Sequence, residues 1–179
     1  ICLVYLDDII IFGKSFEEQI HRLETVFQRL RWAQLKLKPS KCSLLQRRVD
    51  FLGHTVSEDG VAMQQSKIEA VTNWPRPTDV HQLRSFLGLC SYYRRFIEGF
   101  ADTAAPLHAL TGKSVSFHWG PEQEAAFVAL KAKLTTAPVL GMPANNGQYI
   151  LDTDASDVGL GAVLSQIQDG VERPIAFAS

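Results

Sequence analysis

The sequence predicts an α+β fold in which strands lie at both ends of the chain and helices lie between them. Residues 1–12 form two short runs of strand-forming side chains on either side of Asp7 and Asp8. Residues 80–134 place apolar side chains mainly at helical spacing, and residues 148–178 return to strand-like runs. These patterns predict an antiparallel sheet with a helix, a mostly helical middle and a second group of strands.

Composition indicates a globular chain. Of its 179 residues, 46% are hydrophobic and 21% are charged, which is sufficient for one sizeable core or two or three small ones. No apolar run is long enough to cross a bilayer, and the first apolar stretch does not resemble a signal peptide. The cysteines, Cys2, Cys42 and Cys90, form neither a zinc pattern nor a disulfide framework, which predicts a reducing intracellular setting.

Positive charge is concentrated in one region, although the formal net charge of the chain is only -1. No acidic residue occurs between Thr25 and Val49. The basic residues of that region are Arg29, Arg31, Lys36, Lys38, Lys41, Arg47 and Arg48. Such a surface can contact a phosphate backbone, and a solvated face of a helix and hairpin is the alternative explanation.

The two aspartates of the first segment are the strongest chemical feature of the sequence. No Gly, Pro or Asn separates the two apolar runs, so Leu6, Asp7 and Asp8 are expected to form the turn between two buried strands. Adjacent carboxylates in such a place repel each other and lose hydration. A divalent cation bound by their oxygens would offset both costs, whereas a solvated turn is the simpler alternative.

The next elements are a helix and a hairpin. Ser15 and Glu18 fit a capping box, and apolar residues then recur at helical spacing up to Trp32. Residues 35–38 alternate in polarity, which predicts a short edge strand or an extended loop. Residues 49–63 are expected to form a strand, a turn and a returning strand.

The middle of the chain is expected to hold several helices. Residues 66–73 form a short helix, and the prolines of 74–77 mark a boundary. Thr78 is expected to cap a long helix that Gly99 ends. Its apolar stripe is Val80, Leu83, Phe86, Leu87 and Cys90, whereas Arg84, Gly88 and Tyr92 lie four apart on another face. A glycine inside a helix costs about 1 kcal/mol relative to alanine, so it usually permits a close approach.

Two further helices and three strands complete the predicted elements. Residues 101–110 resemble a helix interrupted by Pro106, and a second helix is expected to begin at Pro121. Strands are then expected at residues 148–156, 159–166 and 173–178.

Several motifs resemble one family. The Tyr-Leu-Asp-Asp of residues 5–8 resembles the Tyr-x-Asp-Asp signature of reverse transcriptase palm domains. The Phe-Leu-Gly-His of residues 51–54 is similar to the primer grip of that family, and residues 83–97 are very similar to the thumb signature of Ty3/gypsy-type reverse transcriptases. The Thr-Asp-Ala-Ser of residues 153–156, followed by residues 159–164, resembles the opening of the RNase H domain. The chain therefore resembles the Pol polyprotein of Ty3/gypsy-type long-terminal-repeat retrotransposons.

The resemblance implies three parts. Residues 1–65 would be the C-terminal part of a polymerase palm, residues 66–137 a thumb and tether, and residues 138–179 the incomplete start of an RNase H-like domain. Ile1 and Ser179 both adjoin strand-like runs, so we expect the chain to be a segment of a longer polyprotein.

The resemblance also implies the site residues. Asp7 and Asp8 would be catalytic ligands of Mg²⁺ or Mn²⁺, two ions per polymerase site, and Asp154 would be the first RNase H metal ligand. Asp152 and Asp157 lie nearby but do not match that motif. Lys41 matches the lysine near the nucleotide triphosphate best, and Lys38 matches it less well. Nucleic-acid contacts are implied for Tyr5, Phe51, Leu52, Gly53, His54, Arg84, Gly88, Tyr92, Arg94 and Arg95.

Each of these roles has a structural alternative that the sequence leaves open. Lys41 could be an ordinary surface lysine, and Gly53 could be the bulge glycine of a plain hairpin. Gly88 could permit helix–helix packing, and Asp154 could cap a turn at a strand end.

The implied function is RNA-directed DNA synthesis, in which a primer is extended by two-metal nucleotidyl transfer, with a fused RNase H. The implied partners are an RNA or DNA template with its primer strand, dNTPs and the rest of the Pol polyprotein; a homodimer is compatible and a membrane is not expected. The implied location is intracellular, in a cytoplasmic virus-like particle, with a nuclear stage compatible. The family's third polymerase aspartate lies upstream of this chain, so this segment alone is expected to be inactive. The alternative is a non-catalytic nucleic-acid-binding or structural piece of a degenerate or domesticated retroelement.

Overall fold

The computed structural model describes residues 1–156 and 159–179. The chain divides into two compact units, residues 1–52 and residues 53–179. The predicted α+β class is confirmed. Each unit contains both helices and an antiparallel strand pair, and these elements follow the expected order along the chain. In the part of the chain that is described, no helix combines the length and apolar character needed to span a membrane.

The first unit begins with the expected hairpin. Strands β1 (Cys2–Tyr5) and β2 (Asp8–Ile11) pair antiparallel, with Tyr5 opposite Asp8. Asp8 is therefore the first residue of β2, and only Leu6 and Asp7 form the turn. Leu6 has a φ of +53°, a conformation that costs a non-glycine residue about 1 kcal/mol.

The expectation that both strands of this hairpin are buried is wrong. Leu3, Val4 and Tyr5 are all about 60% exposed. Only Ile10 and Ile11 of β2 are half-buried, because the first helix of the unit packs on β2. The runs of strand-forming residues identified the strands correctly, but burial depends on what covers them.

Helix α1 (Phe16–Trp32) has the expected start. The Ser15 hydroxyl accepts a hydrogen bond from the Glu18 backbone N–H at 3.2 Å. The Glu18 carboxylate reaches back and accepts from the backbone N–H of Lys14 at 2.6 Å, one residue before the cap. The buried side chains of α1 are Leu23 and Val26.

The basic region after α1 is mostly irregular. Residues 35–38 form an extended loop and no strand, which settles the two alternatives in favour of the loop. A single 3-10 turn follows at Pro39–Lys41, and strand β3 (Arg48–Phe51) ends the first unit.

The run of residues 49–56 is two strands, not the single strand expected. Leu52 and Gly53 both have positive φ values, +49° and +74°, so the chain turns between β3 and β4 (His54–Ser57). Consecutive positive φ values are typical of the tight turns that connect strands. Strand β5 (Gly60–Met63) then pairs antiparallel with β4.

The second unit contains the large core of the protein. Its helices are α2 (Gln65–Thr72), α3 (Val80–Tyr92), α4 (Phe100–Ala109) and α5 (Pro121–Thr135). Phe86 of α3 meets Phe127 of α5 with ring centroids 4.7 Å apart. The predicted stripe of α3 is confirmed for Leu83, Phe86, Leu87 and Cys90, which are buried in this core, whereas Val80 at the start of the helix is only half-buried.

The ends of α3 differ from the expectation. Asp79, and not Thr78, is the N-cap, and its carboxylate accepts from the Gln82 backbone N–H at 2.8 Å. The Gln82 side chain in turn accepts from the Thr78 backbone N–H at 3.0 Å, one residue before the cap. The helix stops at Tyr92, and Gly99, with a φ of +61°, precedes α4 instead of ending α3.

Pro106 lies inside a continuous α4, so the expected interruption is wrong. Proline removes the N–H that would bond to the carbonyl of Asp102. Asp102 is exposed, so water can satisfy its carbonyl, and the buried Ala104 and Leu107 hold the helix against the core.

The chain ends in an antiparallel sheet of β6 (Tyr149–Ser156), β7 (Gly159–Gln168) and β8 (Val171–Ala178), in that order. The three predicted strands are confirmed, and β7 and β8 are longer than expected. Gln166 of β7 is fully buried, and its amide accepts from Ala144 N–H at 2.8 Å and donates to Ala144 C=O at 3.0 Å.

Candidate catalytic and nucleic-acid sites

Asp7 and Asp8 line the same cavity of the first unit. The cavity has a volume of about 440 Å³ and is bounded by β2, α1, the loop of residues 36–46 and β3. Both aspartates are exposed, so the cavity is open to solvent on their side. Asp7 of the turn and Asp8 at the start of β2 therefore border one solvent-open cavity.

Three lysines line that cavity as well. Lys36, Lys38 and Lys41 come from the basic loop of residues 36–46, so basic and acidic residues line the same cavity. The Lys41 backbone N–H bonds to the Lys38 carbonyl at 2.9 Å, which holds the 3-10 turn that carries them. The cavity can therefore receive both a cation and a phosphate. The structure brings Lys38 and Lys41 to the same place and does not favour one over the other.

The donor set at the cavity fits a hard divalent cation in part. Mg²⁺ is commonly bound by one or two carboxylates, with water and substrate phosphates as the remaining ligands. Asp7 and Asp8 would supply those two carboxylates. Among the described residues, no group of three or more His, Cys, Asp or Glu side chains could hold a metal ion by itself.

The turn at Leu52 and Gly53 is fixed through the carbonyl of Gly53. That oxygen accepts a hydrogen bond from the Tyr93 hydroxyl at 2.7 Å and from the Gln64 backbone N–H at 3.0 Å. A Cβ added at Gly53 would lie 2.6 Å from the Tyr93 hydroxyl oxygen, so only glycine fits. Gly53 therefore lies in a turn between two strands. It is not the bulge glycine that the sequence had left open as an alternative.

His54 packs in an aromatic cluster at the end of α3. Its ring centroid lies 5.5 Å from that of Tyr92, 5.3 Å from that of Tyr93 and 5.7 Å from that of Phe96. The structure thus gives His54 a packing role, and its contact with nucleic acid stays a prediction. Phe51, in contrast, lines the cavity of the aspartates.

Arg84, Gly88 and Tyr92 form an exposed track along α3. A Cβ added at Gly88 would meet no atom within 4 Å, so Gly88 does not serve helix–helix packing among the described residues. Tyr92 is 54% exposed, and the Arg84 guanidinium donates to the Thr111 carbonyl at 2.7 Å. All three residues are thus exposed, although Arg84 is tied to Thr111 and the Tyr92 ring packs beside His54.

Arg94 and Arg95 contact the last strand. The Arg95 guanidinium donates to the Ile175 carbonyl at 3.2 Å, and that of Arg94 donates to the carbonyl of Ser179. Arg94 also lies over the Phe100 ring, 5.5 Å from its centroid. These contacts attach β8 and Ser179 to the 3-10 turn Arg94–Phe96 that follows α3, and the predicted phosphate contacts stay a prediction.

Asp154 lies near the end of β6, opposite Gly161 of β7, and is exposed. Asp152 is also exposed and lies on the same face of the strand, because side chains two residues apart share a face. Asp157 lies outside the described residues. The turn-capping alternative and the metal-ligand role for Asp154 are both compatible with this position.

Sequence reasoning missed Tyr93. The Tyr92-Tyr93 pair carries a signal, since adjacent residues on a helix point about 100° apart and one of them turns inward. Which tyrosine is buried follows from the apolar stripe, and Tyr93 comes three residues after the buried Cys90. Its partner, Gly53, is 40 residues away, and no local pattern identifies it.

The chain matches two known domain families. Residues 1–56 match the family described as reverse transcriptase (RNA-dependent DNA polymerase). Residues 119–179 match the RNase H-like domain found in reverse transcriptase.

Curated relatives are similar to this chain along nearly its whole length. The retrovirus-related Pol polyproteins of transposons 297 and 412 of Drosophila melanogaster are 42% and 38% identical, and the alignments cover 99% and 98% of this chain. The transposon Tf2-3 polyprotein of Schizosaccharomyces pombe is 39% identical over 92% of this chain. The alignments cover only 16%, 14% and 12% of those three proteins, so the chain corresponds to a small part of each.

Solved structures of a foamy viral protease-reverse transcriptase have the same fold. The complex with double-stranded DNA has a TM-score of 0.84 and the complex with an RNA/DNA hybrid has one of 0.83, both at 26% identity. Each alignment covers 99% of this chain and 31% or 24% of the other. The chain therefore belongs to the reverse transcriptases of Ty3/gypsy-type, retrovirus-related Pol polyproteins, with polymerase sequence at its start and RNase H-like sequence at its end.

Proposed function

We propose that this chain is the part of an RNA-directed DNA polymerase that holds the catalytic metals and the primer end, followed by the start of an RNase H domain. The observation that carries the proposal is the cavity that Asp7 and Asp8 share with the lysines of the basic loop. It lies within residues 1–56, the segment that matches reverse transcriptases. No feature of the described residues favours a non-catalytic role.

The proposed reaction is an in-line attack of the primer 3′ hydroxyl on the α-phosphate of an incoming dNTP. Asp7 and Asp8 would hold Mg²⁺ or Mn²⁺, two ions per site, which lower the pKa of the hydroxyl and stabilise charge on the phosphates. Lys41 or Lys38 would neutralise the triphosphate and donate a proton to the leaving pyrophosphate. The fixed hairpin and loop contribute mainly by positioning these groups.

The template-primer duplex would run along α3. The exposed track of Arg84, Gly88 and Tyr92 presents a guanidinium, a backbone without a side chain and an aromatic ring to a groove of the duplex. The Leu52–Gly53 turn would hold the primer end. Support comes from the foamy viral structures, which contain double-stranded DNA or an RNA/DNA hybrid.

We further propose that residues 1–65 are palm, 66–137 thumb and tether, and 138–179 the start of the RNase H domain, with Asp154 as its first metal ligand. The RNase H-like match begins at residue 119, within the segment before α5, so the family boundary lies earlier than this division. The other partners would be dNTPs and the rest of the polyprotein, with a second copy in a homodimer as an assembly to test. The location would be a cytoplasmic particle.

The decisive experiment is Asp8→Asn in the full-length enzyme. We expect primer extension to fall by more than about 100-fold, because a neutral amide replaces one of the metal-binding charges. Template-primer affinity should change little, because Asp8 does not lie on the α3 track. Asp169→Asn, in the turn between β7 and β8, is the matched control and should keep wild-type synthesis. DNA synthesis that survives in Asp8→Asn would remove the metal-ligand role.

A further inference from the structure

We propose that Tyr93 is a positioning residue for the primer terminus, because its hydroxyl sets where the Leu52–Gly53 turn lies. This inference rests on the proposed function, in which that turn holds the primer end. Tyr93 itself is only 1% exposed, so it cannot be a residue that contacts the nucleic acid. It would act through the backbone of Gly53.

The hydrogen bond is well suited to such a role. The Tyr93 hydroxyl donates to the Gly53 carbonyl at 2.7 Å, across 40 residues of sequence. Burial raises the pKa of Tyr93 to about 12, so the hydroxyl keeps its proton and stays a donor at physiological pH. The second donor to this carbonyl, the Gln64 backbone N–H, comes from the chain just after the β4–β5 hairpin. Tyr93 is thus the link from the turn to the thumb helix.

The turn needs external support. Leu52 has a φ of +49°, a region that side chains with a Cβ disfavour, and Gly53 follows at +74°. No space remains around Gly53 for a Cβ, which would meet the Tyr93 hydroxyl at 2.6 Å. The hydroxyl therefore fills the position that determines how closely the turn approaches α3.

The ring of Tyr93 is held independently of its hydroxyl. Its centroid lies 4.8 Å from that of Tyr92, 5.3 Å from that of His54 and 6.1 Å from that of Phe96. Removal of the hydroxyl leaves these apolar contacts in place, so positioning can be tested apart from folding. Because Tyr92 is the exposed neighbour on the proposed duplex track, the two tyrosines connect that track with the primer turn.

The test is Tyr93→Phe in the full-length enzyme, measured by single-nucleotide burst kinetics on a defined template-primer. The burst amplitude reports the active fraction, and the burst rate reports how well the 3′ hydroxyl is placed. We expect a burst rate about 3- to 10-fold lower, the ratio that corresponds to one net hydrogen bond. Amplitude and template-primer Kd should stay within about twofold of wild type.

The Tyr93→Phe variant should also discriminate less well between matched and mismatched primer 3′ ends. Extension of a mismatched 3′ end, relative to a matched one, should rise in Tyr93→Phe because the turn no longer holds a single position. Tyr149→Phe, which removes a hydroxyl from the half-exposed start of β6, is the matched control and should equal wild type in both assays. If Tyr93→Phe lowers the melting temperature by more than about 8 °C, both assays are repeated for wild type and variant at a lower temperature, at which the variant is fully folded, with the same expected loss of burst rate.

The outcomes separate the two proposals. An unchanged burst rate in an active enzyme, or a lower amplitude at an unchanged rate, would show that Tyr93 only stabilises the fold and would overturn the inference alone. A full-length wild-type enzyme without primer extension would overturn the proposed function and this inference with it.

Discussion

At the scale of single residues, two neighbouring tyrosines have opposite environments. Tyr92 is exposed on the α3 track, whereas Tyr93 is buried and bonds to Gly53. Both were present in the motif that resembles a thumb signature, but the sequence predicted a role only for Tyr92. The inward position of Tyr93 follows from packing against Phe96 of the same motif and against His54, which lies outside the motif.

Burial of Tyr93 and Cys90 predicts that stability falls at high pH. The folded state raises the pKa of both groups to about 12, from ordinary values of 10.0 and 9.0. The unfolded chain therefore loses these protons first, so the free energy of unfolding is unaffected below about pH 9 and declines as pH rises from there to about 12. Urea unfolding between pH 8 and pH 11 measures this slope.

The matched variant for this slope is Tyr93→Phe combined with Cys90→Ala. It lowers stability at all pH values, but its slope above pH 9 should be flatter than that of wild type, because the two shifted groups are gone. Equal slopes would show that other groups cause the decline.

Gly88→Ala should stabilise the fold and impair binding at the same time. Its methyl group meets no atom within 4 Å, and alanine in a helix is more favourable than glycine by about 0.5–1 kcal/mol. Chemical denaturation of the isolated chain checks the gain. Template-primer affinity of the full-length enzyme should fall, because the methyl would obstruct the duplex.

Val128→Ala is the control for that variant. Val128 is 55% exposed on α5, so the change raises helix propensity without touching the α3 track. It should increase stability slightly and leave template-primer affinity unchanged. Unaltered affinity in Gly88→Ala would argue against a duplex on this face.

At the scale of elements, patterns in the sequence predicted which segments are helices and which are strands, but several ends were wrong. The long helix begins after Asp79 and ends at Tyr92, earlier than the expected end at Gly99. Thr78 and Asp79 are both good capping residues, and backbone geometry selects between them. The prediction of a single strand over residues 49–56 was wrong because Leu52, which has a positive φ in the turn, is not a residue type that indicates a turn.

Asp79→Ala should therefore destabilise the second unit by about 1 kcal/mol, within the range of about 0.5–2 kcal/mol for lost caps. The carboxylate accepts the Gln82 backbone N–H, which would otherwise be unpaired at the start of α3. The difference in denaturation midpoint measures the effect. Glu58→Ala, in the exposed turn before β5, should change stability by less than about 0.5 kcal/mol, and equal effects of both changes would contradict the assigned cap.

At the scale of the whole molecule, the chain combines two compact units, and each has its own candidate site. The first unit holds the cavity with Asp7 and Asp8, and the second holds the track on α3 and the strand with Asp154. The whole chain covers less than a fifth of the length of the Pol polyproteins of transposons 297 and 412.

We expect the isolated chain to lack polymerase activity. Asp7, Asp8 and Asp50 line the cavity, but among the described residues no group of three or more His, Cys, Asp or Glu side chains could hold a metal ion. Primer extension by purified residues 1–179 with Mg²⁺ and dNTPs checks this, with the full-length enzyme as the positive control. Detectable extension by the segment would show that Asp7 and Asp8 are sufficient.

The sequence by itself determined the family, the order of helices and strands, and the acidic hairpin with its basic loop. These are local properties, because periodicity, motif and charge are read within a few residues of one another. Only the tertiary structure decided that β1 is exposed, that Gly88 faces open space and that Tyr93 holds Gly53. Burial and such hydrogen bonds join residues distant in sequence, and their energies depend on which surfaces the folded chain brings together.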